Sequence, residues 1–159
     1  MEVMPSANPF LEFKIRVHAT CLGMLKERIA VSEQRMMEAK ESLQSETKGS
    51  AGDKHETSKE MARQELEKIE INHAQLQRSF IQLERLDPRQ TQTKVQVGAL
   101  VQASSKLFYI SASVGEVLVE GTKVFCISNL APLAKAMLNL EKNSSYSFND
   151  DEGRIDKLA

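Results

Sequence analysis

The sequence predicts an α+β protein: a long antiparallel helical hairpin followed by a small antiparallel β domain with one helix. Three observations lead there. Apolar residues recur at alternating spacings of three and four from about Pro9 to Leu86, with a single interruption. Asp87-Pro88 then ends the helical pattern, because proline and the residue before it resist helix continuation. Beyond that point short β-rich runs alternate with turn residues.

In the first arm Leu22, Leu25, Ile29, Ser32, Met36, Ala39 and Leu43 form the repeating face, while Glu27, Arg28, Glu33, Arg35, Glu38 and Lys40 fill the others. In the second arm Ala62, Leu66, Ile69, His73, Leu76, Phe80 and Leu83 keep the same spacing. Each arm therefore carries a coiled-coil seam, weakened by the polar members Ser32 and His73. Glu, Lys, Gln, Met, Leu and Ala dominate both arms, in agreement with intrinsic helix propensity. Between the arms, residues 45–56 read SETKGSAGDKHE. Two glycines and two serines break the pattern there, so the chain reverses. Arms of ~30 residues span ~45 Å at the helical rise, far more than a small domain needs for its core. A finger that reaches into something accounts for that length.

In the second half, Lys94 to Gln102 reads as a strand with Val95, Val97 and Ala99 on one face. Lys106 to Ala112, Glu116 to Glu120 and Val124 to Ser128 read as further strands, the last two separated by a Gly121-Thr122 turn. Pro132 to Leu140 returns to helix, with Pro132 in its first turn and Ser128 or Asn129 as the cap. Ser145 to Phe148 forms a last strand before an acidic tail expected to fray. The domain division is 1–88 for the hairpin, with its acidic tip near 46–58, and 89–159 for the β domain.

Composition narrows the function classes. The 159 residues carry 21 basic and 22 acidic side chains, a net charge of -1, so no bulk field draws the chain to nucleic acid or membrane. Aromatic residues make up 5% and tryptophan is missing, while charged residues reach 27%, which suits a long solvated helix pair. No run approaches the ~20 apolar residues of a membrane span. Residues 1–10 show no positive region followed by an apolar stretch, so no signal peptide is expected and the protein is read as soluble and cytoplasmic. Cys21 and Cys126 lie far apart in apolar surroundings and are read as reduced core thiols, with a disulfide or a nucleophile as the alternative.

Chemistry concentrates at Gly52-Asp53-Lys54-His55-Glu56. Asp53 and Glu56, three residues apart at the start of a helix, project to one side. They are hard oxygen ligands suited to Mg²⁺, an ion that takes few protein ligands and keeps several waters. A second reading stands beside this one: acidic residues at a helix N-terminus complement the helix dipole and cap its N–H groups. His55 and His73 read as a solvated neighbour and a packing residue. Lys48, Lys54 and Lys59 are solvated charges that can also meet RNA phosphates.

These residues resemble the Gre-type transcription elongation factors of bacteria. That family has a tip segment of the form G-D-x-x-E-N-A-E-Y, and Gly52-Asp53-Lys54-His55-Glu56-Thr57-Ser58-Lys59-Glu60 matches its glycine, aspartate and glutamate in register. It also has a strand followed by S-P-x-A-x-A-L-L-G. Here Ile127-Ser128 leads to Ala131-Pro132-Leu133-Ala134-Lys135-Ala136-Met137-Leu138-Asn139, keeping the proline and two alanines. The resemblance implies a coiled-coil hairpin joined to an FKBP-like C-terminal domain. It implies RNA polymerase as partner, with the hairpin in its secondary channel close to the 3′ end of the nascent RNA. By match, Asp53 and Glu56 would help hold a catalytic Mg²⁺ shared with the polymerase active site, which then cuts backtracked transcripts. Docking would fall to Val124 to Leu138.

The match has departures. Thr57-Ser58-Lys59-Glu60 replaces Asn-Ala-Glu-Tyr, so the aromatic residue is missing, and Asn143-Ser144-Ser145-Tyr146 replaces a G-D-x-V turn. A secondary-channel regulator that modulates or inhibits transcription without cleavage is therefore the alternative. A prefoldin-like coiled-coil chaperone would want apolar finger ends, whereas this tip is Gly, Ser, Lys, Asp and Glu. An enzyme acting alone is not expected: a cysteine nucleophile needs a nearby histidine base, and there is no phosphate-cradling glycine loop. Because an intramolecular hairpin satisfies the seam, a monomer is expected.

Overall fold

The computed structural model describes residues 8–48 and 53–159, and side chains within those ranges except for residues 46–48 and 53–55. Two long helices come first, α1 (Pro9–Lys48) and α2 (Asp53–Glu84). Six strands and a short helix follow: β1 (Leu100–Ala103), β2 (Lys106–Ser111), β3 (Gly115–Val119), β4 (Thr122–Ser128), α3 (Pro132–Met137), β5 (Ser145–Phe148) and β6 (Asp151–Leu158). The α+β class is as the sequence predicts. By compactness the chain forms two units, Met24–Arg78 and a discontinuous one made of Met1–Gly23 with Ser79–Ala159. The 88/89 division follows the chain instead, marking the end of the helical pattern.

Residues 24–78 form a two-helix unit. Glu27, Arg28, Val31, Ser32 and Arg35 of α1 share one groove with Asn72 and Leu76 of α2. Further along, Arg35 approaches Glu65 at 4.0 Å. As one arm advances its partner recedes, so the helices run antiparallel. The seam positions behave as the periodicity requires. Leu25, Ser32, Ile69 and His73 are buried, and Ile29, Met36, Ala39, Leu43, Ala62, Leu66 and Leu76 are half-buried. Between them, most other positions are exposed. The polar members carry a cost, since Ser32 Oγ and His73 Nδ1 are buried with no protein partner among the described residues.

In the other unit the strands form one sheet in the order β3-β4-β2-β1-β6-β5. All neighbours are antiparallel except β2 and β4, which run parallel. The parallel pair arises because β3 forms a hairpin with β4 at the sheet edge and so inserts β4 beside β2. Glu120 and Gly121, both at positive φ, make the tight turn of that hairpin. Strand alternation then serves two faces. On one, Phe108 and Ile110 join Val95, Ala99, Val101, Ala103, Ala134, Met137 and Ile155 in a core beneath α3, with Phe125 and Ile127 packed against it. On the other, Tyr109 and Cys126 meet the first turns of α1. That double burial is why β2 reads as a continuous apolar run rather than an alternating one.

Three local predictions differ from the structure. Lys94 to Gln102 is not one strand: β1 begins at Leu100. Gly98 sits at φ 96°, which breaks the extended run. Val95 is held instead by the chain after α3, its N–H donating to the Leu140 carbonyl and its carbonyl accepting from Asn139. The predicted helix from Pro132 to Leu140 stops at Met137, with Asn139 in the left-handed region at φ 67°. Its N-cap is Ala131, without a side-chain cap bond, while Ser128 Oγ accepts from the Leu130 N–H before the helix starts.

The acidic tail does not fray. Residues 151–158 form β6, with strands on both sides, burying Ile155 and leading to a buried Ala159 whose backbone exchanges two hydrogen bonds with Leu100. Asn149 and Asp150, at φ 49° and 65°, make the β5–β6 turn. Gly153 pairs with Tyr146 across that hairpin, and a Cβ there would meet the tyrosine ring. The glycine thus leaves room for the aromatic ring to lie across the hairpin.

Candidate functional site

The predicted site lies at the start of α2. Asp53 is the first residue of the helix and Glu56 falls in its first turn. The Asp53 side chain lies outside the described residues, as do those of Lys48, Lys54 and His55, and Gly49 to Gly52 lie outside them altogether. Glu56 is exposed and shares a shallow groove with Thr57, Glu60, Met61 and Gln64. Glu60 is engaged by its own helix, with Arg63 at 4.0 Å and Gln64 Nε2 donating to it at 3.5 Å. Asp53 and Glu56 stand three residues apart in the first turn of that helix.

Such a pair can offer hard oxygens to a divalent cation but supplies only part of a coordination shell. Among the described residues no group of three or more His, Cys, Asp or Glu side chains is placed to hold a metal. The donor set fits Mg²⁺ in the sense that this ion accepts one or two carboxylates and takes its other ligands elsewhere.

A second constellation emerges in the unit made of Met1–Gly23 and Ser79–Ala159. Lys14, Val17, His18 and Cys21 are buried on one face of α1. Their spacing of three and four places them over the sheet. Lys14 Nζ donates to the Gln90 carbonyl at 2.8 Å. His18 Nδ1 lies 2.8 Å from the Tyr109 hydroxyl. Cys21 Sγ lies 2.9 Å from Cys126 Sγ. Burial pushes the Lys14 ammonium down to about 8, against the attraction of Asp87. Burial also lowers the His18 imidazole, opposed by Asp87 and reinforced by Lys14. The Tyr109 hydroxyl is pushed well above its ordinary value by burial and then by the two cysteines. A neutral imidazole beside a protonated phenol lets the O–H donate to Nδ1, which leaves the ring proton on Nε2.

Sequence reasoning does not assemble this cluster, because Tyr109 and Cys126 reach it only through the fold. One signal was available: Lys14, His18 and Cys21 at helical spacing break the apolar face just where α1 precedes its coiled-coil seam. The structure also brings a histidine and both cysteines into one buried patch, although the histidine is committed to Tyr109.

No protein-family model matches the chain, and no curated protein matches it. Among solved structures it is similar to one titled "Structure of the transcription factor Gfh1", with 20% identity over 87% of this chain and 93% of that one, at a TM-score of 0.37. The class defined by the chain's own structure is an α+β protein with a helical hairpin and a mostly antiparallel six-stranded sheet. No helix among the described residues is long and apolar enough to cross a membrane.

Proposed function

We propose that this chain is a Gre-type RNA polymerase factor that acts through the secondary channel and promotes cleavage of backtracked transcripts. One observation carries the reading: Asp53 opens α2 and Glu56 stands exposed in its first turn, in the register of the Gly-Asp-x-x-Glu motif. The antiparallel pairing of residues 24–78 supports it, since it puts those carboxylates where one arm gives way to the next. Val124 to Leu138 would dock the factor, and its loop between β4 and α3 exposes Leu130 at 69%.

In this mechanism the chain contributes ligands and position, and the reacting centre belongs to the polymerase. Asp53 and Glu56 would hold Mg²⁺ jointly with polymerase groups near the RNA 3′ end. In two-metal phosphoryl transfer, an ion so held supplies activation of a water and stabilisation of the leaving oxygen. Two carboxylates at the start of one helix would take that role together, and docking would remove them from competing water. The protein would act as a monomer in the cytoplasm, with no catalytic activity of its own.

A second reading has its own support. Thr57 and Ser58 follow Glu56 where the family has Asn-Ala, and Glu60 stands where it has tyrosine. A factor lacking the aromatic residue can occupy the channel and retune the polymerase without cleavage. A stalled, backtracked elongation complex separates the two. Cleavage promotion requires the transcript to shorten from its 3′ end on adding the protein, and Asp53→Ala or Glu56→Ala to abolish this with binding retained. Binding without faster cleavage supports the regulator, and absence of binding removes both.

A further inference from the structure

We propose that Cys21 and Cys126 form a reversible, peroxide-driven disulfide that ties α1 to β4. The two sulfurs lie 2.9 Å apart although 105 residues separate them in sequence. They are 0% and 1% exposed, so each thiol's nearest reactive neighbour is the other rather than a second protein molecule. Closing that contact by roughly 0.9 Å reaches the ~2.05 Å of an S–S bond. Each cysteine lies in regular secondary structure, one on a helix and one on a strand inside the sheet, so the approach is built into the packing of the unit.

The step balances with a peroxide as oxidant. One thiolate attacks a peroxide oxygen, the O–O bond breaks and a water leaves, giving a sulfenic acid. The second thiolate attacks that sulfur and displaces a second water, giving the disulfide. Two thiols are oxidised by two electrons in all, and the peroxide is reduced to two waters. Burial favours the thiol over the thiolate, so the first attack is slow and proceeds through local opening of the α1 contact. The second is fast because the partner sulfur is already in place. Buried thiols without a neighbour would instead stay inert or progress up the oxidation ladder. The product closes a loop through both helices and three strands, which disfavours the unfolded chain and holds α1 on the sheet.

The test uses the full-length protein, treated with hydrogen peroxide under native conditions and then analysed by intact mass and peptide mapping without reductant. A loss of about 2 Da is expected, with the Cys21 and Cys126 peptides joined and both thiols recovered on adding dithiothreitol. For a loop of this length the amide hydrogens of β4 around Cys126 should exchange at least about tenfold more slowly after oxidation. Cys126→Ala should show neither change, its Cys21 thiol staying unmodified or carrying only oxygen adducts. Oxygen adducts on the wild-type chain without the joined peptide overturn the proposal. So does an intermolecular dimer, or two thiols that remain unmodified through the treatment.

Discussion

Replacing Tyr109 with phenylalanine tests how α1 is held to the sheet. The ring is fully buried in β2, opposite Leu100, and phenylalanine keeps its packing. What disappears is the hydroxyl 2.8 Å from His18 Nδ1. A typical hydrogen bond contributes about 1 kcal/mol net, but here the imidazole left behind is also buried, which raises the loss to about 1–3 kcal/mol. Tyr109→Phe should therefore cost about 2 kcal/mol, and His18→Leu in the same background should recover most of it by removing the orphaned polar ring. Because the chain has two compact units, one melting curve would mix their stabilities. Amide hydrogen exchange across β2 and β4 reads the relevant one directly. A Tyr109→Phe cost below about 0.5 kcal/mol, or strictly additive costs in the double variant, would refute the claim that this bond anchors α1.

Two further outcomes follow from buried polar groups. Ser32→Ala removes from the seam a buried hydroxyl with no protein partner among the described residues, and adds a better helix former. It should stabilise residues 24–78 by about 1–2 kcal/mol, read by amide hydrogen exchange within those residues, and a loss of stability would show that the hydroxyl is bonded. Lys14 holds its proton more weakly when folded, at about 8 against 10.5 for the free side chain. Between those values the unfolded chain binds more protons, so stability should rise with pH, by at most about 3 kcal/mol. Denaturation at pH 7 and pH 9.5 should show that rise in the wild type relative to Lys14→Met, and parallel profiles would count against it.

Much of this architecture was legible because periodicity and burial agree. Leu25, Ile69 and the polar Ser32 and His73 all fell on the predicted seam, since a helix pair has one inward face and the spacing names it. The ends of elements were harder. Gly98 halts a run of β-formers, and Asn139 ends α3 early, because each adopts a left-handed backbone that propensity does not foresee. The tail misled for a different reason: its charges suggest solvation, yet Ile155 alone faces the core fully, and pairing with β1 and β5 does the rest. The Lys14–His18–Cys21 cluster depends on contacts with Tyr109, Cys126 and Gln90, which no local pattern reveals. At the predicted site, sequence remains the stronger witness. The motif supplies Asp53 and Glu56, and the structure adds the exposure of Glu56 and the helix start.

The most direct test of the proposed function is a photo-cross-link from the tip. A benzoylphenylalanine at Thr57, beside Glu56 but sparing both carboxylates, should cross-link to RNA polymerase in a stalled elongation complex. A tip seated in the channel should give adducts on segments lining the catalytic centre or on the RNA 3′ end, lost when the secondary channel is blocked. Adducts confined to the polymerase's outer surface, or none at all, would contradict it.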